Sequence, residues 1–293
     1  MTMLPRRSFL RNMGLLAAGT LAHRSTFAGL LREADDNVAL CERRFAMAHE
    51  EGWSKLPIGM VMTHVGRTFL GTPYVAHALE VPGQEHLVVS LGGLDCVTFV
   101  ESTLALSRCI VAGTMTYDAF CEQLTFIRYR GGVCSGYPSR LHYFSDWIHD
   151  NEAKHVVDDI SRTLGGERYA KTIDFMSTHR SAYPRLAADS TYAAIQSTEE
   201  ELASRTPWFL PKAKLGDPDN GIHDGDILGI TTAVAGLDVA HTGMAIHEDG
   251  VLKYLHAPLS QGKVQVTSGS LFSYLSSHAK QTGVMVARPL EPV

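Results

Sequence analysis

The apolar pattern of this chain changes from helical spacing in its first half to short β-type runs in its last quarter. Beginning at Cys96, the apolar positions Val97, Val100, Leu104 and Val111 keep the spacing of one helix face. The runs DILGITT, LDVAHTGMAIHE, VLKYLHAP, KVQVTS and GVMVARP come later and are separated by turn residues. Helices first and a meander of strands afterwards predict an α+β fold with an antiparallel sheet.

Composition narrows the function classes. The chain has 293 residues, of which 45% are hydrophobic and 19% charged, as in ordinary globular proteins. Its formal net charge is −5, and no basic run follows the first eleven residues. Nucleic acid is therefore not an expected partner.

The N-terminus has the layout of an export signal. Arg6 and Arg7 precede a short apolar segment from Met13 to Ala22, which is too short to span a membrane. We predict a signal peptide of the twin-arginine type over residues 1–28 and an exported, periplasmic protein. A basic, amphipathic first helix is the alternative.

The rest of the chain is predicted to form one catalytic domain, residues 29–293. Helical and loop elaborations are expected around 36–65 and 131–220. No later stretch is long and apolar enough for a membrane span, so no stable membrane insertion is expected after signal removal. Within the second elaboration, Ser197 and Glu200 have the spacing of a capping box and predict a helix start.

Cys96 has four candidate roles: a buried small residue, half of a disulfide, a metal ligand or a nucleophile. The five cysteines fit no zinc motif, and buried free thiols are the expected state of the other four, Cys41, Cys109, Cys121 and Cys134. Asp95 is a good N-cap, which puts Cys96 in the first turn of a helix. That position favours the thiolate, the reactive form of cysteine.

The segment HTGMAIHEDGVLKYLHAP predicts a β-hairpin whose register follows from its turn. With Asp249 and Gly250 as a two-residue turn, Gly243 faces His256, and side-chain alternation puts His241 on the same face as His256. The two histidines are then diagonal neighbours, roughly 7 to 8 Å apart at the backbone. Gly243 between them is predicted to leave room for a reacting group. A three-residue loop would instead place the histidines on opposite faces.

Seven motifs in order carry a family resemblance: GTPYV, LDCVTFVE, RYRGG, SRLHYFSDW, DGDIL, HTGMAI and YLHA. They resemble the NlpC-type cell-wall hydrolases of the papain-like superfamily and, more closely, its N-acetylmuramoyl-L-alanine amidase-like branch. The similarity runs from about Phe69 to Arg288. It implies a papain-like fold, in which a nucleophilic cysteine begins a helix packed on an antiparallel sheet that carries the histidines.

The resemblance also implies roles for single residues. Cys96 would be the nucleophile, His241 the base and His256 the residue that orients the base. Tyr74 would lie beside the thiolate at the oxyanion hole. The implied reaction is hydrolysis of the amide between N-acetylmuramic acid and L-alanine in peptidoglycan fragments, with 1,6-anhydro sugars favoured. No metal or organic cofactor is implied.

Five residues are candidates for substrate binding. Arg128, Arg130, Arg140 and Tyr143 border a glycine-rich loop, where they would bind an acidic peptide stem. Surface charges that compensate a helix dipole are the alternative for Arg128 and Arg130. Asp95 is first a helix cap, with a second candidate role at the substrate.

Three other functions stay open from the sequence. One is a γ-D-glutamyl-diamino acid endopeptidase that cuts the stem peptide. Another is a module that binds cell-wall peptides without cutting them. The third is a zinc site, because one thiolate and two imidazoles from Cys96, His241 and His256 suffice as ligands.

Overall fold

The computed structural model describes residues 25–216 and 220–293, with side chains from residue 35 onward. The signal peptide predicted over residues 1–28 therefore lies almost wholly outside the described residues. Within these ranges, no helix is long and apolar enough to cross a membrane.

The structure combines helices and one antiparallel sheet. The helices are α1 (Ser25–Glu50), α2 (Ile58–Arg67), α3 (Cys96–Ala112), α4 (Tyr117–Arg128), α5 (Phe144–Ala153), α6 (Phe175–Thr178), α7 (Asp189–Ala203) and α8 (Leu271–Ser276). The strands are β1 (Val157–Asp159), β2 (Glu167–Arg168), β3 (Trp208–Pro211), β4 (Ile227–Thr232), β5 (Val239–Glu248), β6 (Val251–His256), β7 (Gln265–Val266) and β8 (Gln281–Pro289).

Neighbouring strands in the sheet follow the order β2-β3-β8-β4-β5-β6-β7, and β1 pairs with β8. The α+β arrangement with an antiparallel sheet is the one that the order of patterns predicts. The β5–β6 hairpin has the predicted register, with Gly243 opposite His256. Its two-residue turn has φ of 52° at Asp249 and 73° at Gly250, as a type I′ turn requires.

Side-chain alternation along β5 and β6 gives the sheet two buried faces. Met244, Ile246 and Leu255 pack with the side chains of α2 and α3 in the larger core. Ala245 and Tyr254 pack on the opposite face, with apolar residues of β4, β8 and α8. The sheet is therefore the middle layer, and the histidine side chains belong to the face opposite α2 and α3.

The segment after α4 has a small core of its own. Tyr143 and residues of α6 and α7 contribute to it. The helix start predicted at Ser197 is wrong, because α7 already begins at Asp189 and Ser197 lies in its interior. A capping-box spacing occurs by chance inside a helix, and the packing of Ile195 and Leu202 decides the helix bounds.

Candidate active site

Cys96 is the first residue of α3. Asp95 is the N-cap: its Oδ1 accepts from the Thr98 N–H at 2.8 Å, and Thr98 Oγ1 accepts from the Asp95 N–H at 2.9 Å. This reciprocal capping box fixes the helix start. Gly113, with φ of 71°, ends the helix. The predicted helix and its first residue are thus confirmed, and Asp95 is a structural cap.

The half-buried thiol of Cys96 adjoins strand β5 at Thr242. Burial, and next the charge of Asp95, raise the pKa of Cys96 to about 11, although the Thr242 N–H and hydroxyl act in the opposite direction. Thr242 Oγ1 is buried, and among the described residues the Cys96 sulfur is the group towards which its hydroxyl can turn. The thiol is therefore neutral before substrate binds. The helix start favours the thiolate, but the effect of burial on the pKa is larger.

His241 and His256 form a hydrogen-bonded pair. His241 Nε2 and His256 Nδ1 are 2.8 Å apart, as the hairpin register predicts for two diagonal neighbours. A β-bulge precedes the pair on β5: Ile230 of β4 faces His241, whereas Thr231 faces Val239. The bulge interrupts the ladder at Ala240 and sets the direction of the next side chain.

The two imidazoles pack against Tyr254, whose ring centroid is 5.7 Å from that of His241 and 4.7 Å from that of His256. Gly243 lies beside this packing, and a Cβ there would be 2.8 Å from both His256 Cβ and Tyr254 Cε2. The prediction of free space at Gly243 is therefore wrong. Glycine is needed there because Leu255 O, His256 Cβ and the Tyr254 ring occupy the volume that a side chain would take.

Both histidines are neutral at neutral pH. Burial, and after it the charge of His278, lower the pKa of His241 to about 4. Burial and the other two histidines lower the pKa of His256 to about 3. No hydrogen bond joins Cys96 to His241 in the described residues, a separation that is common before substrate binds. His241 still has Nδ1 available, because Nε2 is bonded to His256.

Tyr74 lies beside the residues that lead into α3. It forms a parallel bridge with Leu94, two residues before Cys96, and its N–H donates to Gly262 O at 2.8 Å. Its hydroxyl makes no hydrogen bond among the described residues. Burial, and then the charges of Cys96 and Asp95, raise its pKa, so Tyr74 stays a hydroxyl donor.

Arg128 and Tyr143, predicted as substrate-binding residues, are buried in the protein. Arg128 Nε lies 2.7 Å from Glu101 Oε2, and both side chains are 2% exposed. Its Nη1 donates to Val88 O at 2.6 Å. The Tyr143 hydroxyl donates to Glu199 Oε1 at 2.6 Å. The structure does not support substrate binding by Arg128 or Tyr143, because the polar atoms of both side chains bind internal partners.

Arg140 and Arg130 are also paired internally. Arg140 is 7% exposed and contacts Glu80 at 3.0 Å and Glu85 at 3.1 Å. Arg130 is 32% exposed and lies 2.5 Å from Asp146. Substrate binding by Arg140 is therefore not supported, while Arg130 alone of the four loop residues reaches the surface. The loop near these residues is held by ion pairs, which the sequence pattern does not reveal.

Four residues near the site were not anticipated from the sequence: Thr242, Tyr254, Tyr274 and His278. The charge of Cys96 raises the pKa of both tyrosines after the larger effect of burial, and Tyr274 packs against His256 with ring centroids 5.2 Å apart. Thr242 follows His241 directly and Tyr254 shares the histidine face, so the sequence could have indicated that these two residues lie near the site. Tyr274 and His278 had none, because α8 packs near the site only through the tertiary fold.

Metal binding and disulfides are not features of the described site. In residues 25–216 and 220–293, no group of three or more His, Cys, Asp or Glu side chains has an arrangement that could hold a metal ion. All five cysteines are free in the structure. The chemistry available is therefore that of one thiol, a histidine pair and nearby hydroxyl and backbone donors.

Fold and site together define a class: an α+β protein in which a cysteine at a helix start adjoins the strand that carries a hydrogen-bonded histidine pair. The chain belongs to the AmiA-like family, the N-acetylmuramoyl-L-alanine amidase-like proteins, whose family model matches residues 64–284.

Solved structures agree with this family. A crystal structure of an N-acetylmuramoyl-L-alanine amidase from Bacteroides uniformis is 37% identical, covers 80% of this chain and 99% of its own, and has a TM-score of 0.77. A Bacteroides fragilis protein described as a candidate xylanase is also 37% identical, with coverage of 77% and 99% and a TM-score of 0.73.

A more distant structure, from Legionella pneumophila, is 19% identical, with coverage of 90% and 98% and a TM-score of 0.67. This likeness concerns the fold alone. None of the curated proteins matches the chain.

Proposed function

We propose that this protein is a thiol-dependent amidase of papain-like, NlpC-type fold. Its substrate is the amide between the lactyl group of N-acetylmuramic acid and L-alanine in peptidoglycan fragments, with 1,6-anhydro sugars preferred. The observation that carries the proposal is the helix-start Cys96 beside the strand of the His241–His256 pair, in a chain of the amidase-like family.

The reaction begins with proton transfer from the Cys96 thiol to Nδ1 of His241. The thiol is neutral at rest, with a pKa of about 11, so attack and deprotonation are coupled rather than starting from a stable thiolate. The sulfur forms a bond to the amide carbonyl carbon, and the carbonyl oxygen becomes an oxyanion. The Nε2–H of His241 donates a hydrogen bond to Nδ1 of His256 and keeps its proton, and this bond holds the imidazolium in place.

Two donors are available to the oxyanion. The Cys96 N–H belongs to the first turn of α3, where backbone donors have no intrahelical acceptor. The hydroxyl of Tyr74 is the second donor, and its raised pKa keeps its proton on oxygen.

The intermediate collapses when the C–N bond breaks and His241 protonates the departing amine of L-alanine. A thioester on Cys96 remains. His241, neutral again, then takes a proton from water, whose oxygen attacks the thioester, and the proton returns to the sulfur as the C–S bond breaks. The products are the sugar with a free lactyl carboxylate and a stem peptide that begins with L-alanine.

Product analysis with a defined 1,6-anhydro-muropeptide tests the bond that is cut. Mass spectrometry is expected to detect free tripeptide or tetrapeptide beginning with L-alanine. A product that retains sugar, L-alanine and D-glutamate would instead identify a γ-D-glutamyl endopeptidase and overturn the amidase.

The thiol dependence has a separate test. Cys96→Ala is expected to abolish turnover, whereas Cys134→Ala, which changes another half-buried free thiol, is the matched control and should keep it. A thiol alkylator should inactivate the protein, and a strong chelator should not. Full activity of Cys96→Ala would exclude the thiol mechanism, whereas muropeptide binding without turnover by the wild-type protein would favour a binding module.

A glycosidase mechanism, as the name of the Bacteroides fragilis relative suggests for that protein, finds little support here. Glycoside hydrolysis needs two carboxylates roughly 5 to 9.5 Å apart across the scissile bond. Asp95 is the carboxylate whose charge reaches Cys96, and its Oδ1 is engaged by Thr98 in the helix cap. Release of xylose from xylan would be the contrary result.

We also propose export to the periplasm by the twin-arginine route. The argument is the sequence of residues 1–28, in which paired arginines precede a short apolar segment. Replacing both Arg6 and Arg7 by lysine is expected to retain the protein in the cytoplasm, as cell fractionation would detect. Unchanged periplasmic recovery of the variant would refute that route.

A further inference from the structure

Thr242 follows His241 on strand β5, and its side chain lies on the other face of the sheet. Side chains alternate along a strand, so Thr242 shares the face of Met244 and Ile246, which pack with α3 in the larger core. Cys96 is the first residue of α3. The fold therefore brings Thr242 to the thiol from the side of the helix, whereas His241 belongs to the opposite face of the same strand.

The hydroxyl of Thr242 has no oxygen or nitrogen partner. The residue is 2% exposed, and its Oγ1 forms no hydrogen bond to an oxygen or nitrogen atom in residues 25–216 and 220–293. The residue that faces it on β4 is Gly229, which has no side chain to offer. Buried hydroxyls in proteins almost always have a partner, and the group within reach of this one is the sulfur of Cys96.

The backbone N–H of Thr242 is a second donor at the same place. The N–H of Ala245 donates to Asp226 O, just before β4, at 2.8 Å, and donors alternate along a strand, so the N–H of Thr242 points towards β6. Pairing with β6 ends at Gly243, one residue short of Thr242. This N–H therefore lies beyond the end of the ladder, where it donates to Cys96.

The sulfur needs such donors when its proton leaves. Burial and the charge of Asp95 both oppose the thiolate of Cys96. The N–H of Cys96 itself favours the thiolate before substrate binds, but in the proposed mechanism this donor turns to the oxyanion. During attack, the two donors of Thr242 remain for the sulfur.

A hydroxyl suits both protonation states of the sulfur. It accepts from the S–H group while the thiol is neutral, and after rotation about its Cβ–Oγ1 bond it donates to the anion. The thiol proton passes to Nδ1 of His241, and Thr242 keeps its own proton throughout. Because only a hydrogen atom changes position, the donor is in place before the charge develops, as electrostatic stabilisation requires.

We propose that Thr242 is a further catalytic residue, whose hydroxyl stabilises the negative charge on the Cys96 sulfur as it forms, beside the fixed donor of its own N–H. The assignment rests on the proposed thiol mechanism and adds to it a residue from the α3 face of the sheet. The histidine pair receives the proton, and Thr242 stabilises the charge that the proton leaves on sulfur.

The first test measures the thiol without turnover. Thr242→Val removes the hydroxyl and keeps the shape of the side chain, whereas Thr242→Ser keeps the hydroxyl. The readout is the second-order rate of alkylation of Cys96 by iodoacetamide at about pH 8, followed by mass spectrometry of the peptide that contains Cys96.

We expect this rate to fall about three- to tenfold in Thr242→Val, because loss of a donor lowers the thiolate fraction while a more nucleophilic thiolate offsets part of the effect. Thr242→Ser should stay within about twofold of the wild-type rate, since its hydroxyl still donates to the sulfur.

Thr103→Val is the matched control. Thr103 is a fully buried threonine of α3, about two turns beyond Cys96, and its hydroxyl donates to Phe99 O at 2.7 Å. This variant loses the same chemical group from the same core and should be alkylated at the wild-type rate. Circular dichroism and thermal unfolding check that every variant is folded.

Steady-state kinetics with the anhydro-muropeptide completes the test. In Thr242→Val we expect kcat to fall at least about tenfold and KM to change by less than about twofold, because the buried hydroxyl acts on the sulfur alone. A purely structural role would not separate kcat from KM in this way, and it would not let Thr242→Ser restore the alkylation rate.

Equal alkylation rates of folded Thr242→Val and wild-type protein would overturn the assignment, and so would a Thr242→Ser variant as slow as Thr242→Val. If Thr242→Val is unstable, Thr242→Ala against Thr242→Ser gives the same comparison. Failure of the proposed function is distinguishable, because the wild-type protein would then leave the amide intact while the alkylation rates still report whether Thr242 acts on the sulfur.

Discussion

His241 Nε2 lies 2.8 Å from His256 Nδ1, and through this hydrogen bond the protonation state of each imidazole determines that of the other. If His241 accepts the thiol proton at Nδ1, its Nε2 hydrogen points to His256, which must then carry its own proton on Nε2. That atom is buried and has no hydrogen-bond partner among the described residues. The protonation of Cys96, His241 and His256 is thus coupled along one line.

Truncating His256 tests the orienting role. His256→Ala is expected to lower kcat by about 100-fold or more with a smaller change in KM, because His241 loses the acceptor that fixes its ring. His256→Asn keeps a polar side chain near the position of Nδ1 and should retain at least about tenfold more activity than the alanine variant. Steady-state kinetics measures both, and circular dichroism checks the fold. Equal activity of the two variants would contradict an orienting role.

The pH profile follows from the two shifted groups. The reaction needs a neutral His241, which persists until the pH falls to its pKa of about 4, and a thiol proton that is still present below about pH 11. We expect kcat/KM to be nearly flat from about pH 5 to 9 and to fall on the acid side near 4. An acid limb near 6.5, the ordinary value for histidine, would show that His241 is not held neutral by burial.

His278 provides the control for this profile. Its positive charge lowers the pKa of His241, second to burial. Removing the charge with His278→Gln should raise the pKa of His241 and move the acid limb to higher pH. The same rate measurements detect the shift, and a limb that stays in place would exclude His278 as a source of the field at His241.

Gly243→Ala should damage the site through packing. Its Cβ would lie 2.8 Å from His256 Cβ and 2.7 Å from Leu255 O, which cannot move without disturbing the hairpin. We expect a loss of about 1 to 3 kcal/mol in the free energy of unfolding, together with a lower kcat. Gly92→Ala is the matched control, since its Cβ would meet only Leu40 Cδ1 at an ordinary 3.6 Å. Urea denaturation compares the two, and equal stability would contradict the crowding.

The buried pair of Arg128 and Glu101 should be structural. Arg128→Ala leaves the buried Glu101 carboxylate, whose pKa burial raises, without its partner. Removal of one member of such a pair costs about 3 to 5 kcal/mol of folding free energy. Arg130→Ala, at a position 32% exposed, should cost far less. Denaturation curves test this, and a raised KM in a fully stable Arg128→Ala would restore the substrate-binding interpretation.

The hairpin shows what the sequence could predict. Asp249 and Gly250 determine the turn, the turn determines the register, and the register brings His241 to His256. Each step is local and depends on side chains that alternate with period two. Cys96 was equally accessible, because Asp95 and Gly113 mark both ends of its helix.

The rest depends on partners that are distant in the chain. Arg128 looks like a surface residue until Glu101, 27 residues away, is known to face it. The free-energy cost of burying such a charge is met by a contact that no local pattern encodes. The same holds for Tyr274 and His278, which reach the histidine pair only because α8 packs on the sheet. The prediction of free space at Gly243 was wrong for the same reason, because neighbours on the adjacent strand fill that space.

The two-residue turn of the β5–β6 hairpin makes the activity of the protein depend on correct strand pairing. A slip of one residue in pairing would turn the side chains of one strand to the opposite face, which would separate His241 from His256 and take Met244 and Ile246 out of the larger core. A molecule paired in this way would lose catalytic geometry and core packing together. Titration of active sites would therefore count the molecules whose hairpin, and with it the core, is correctly paired.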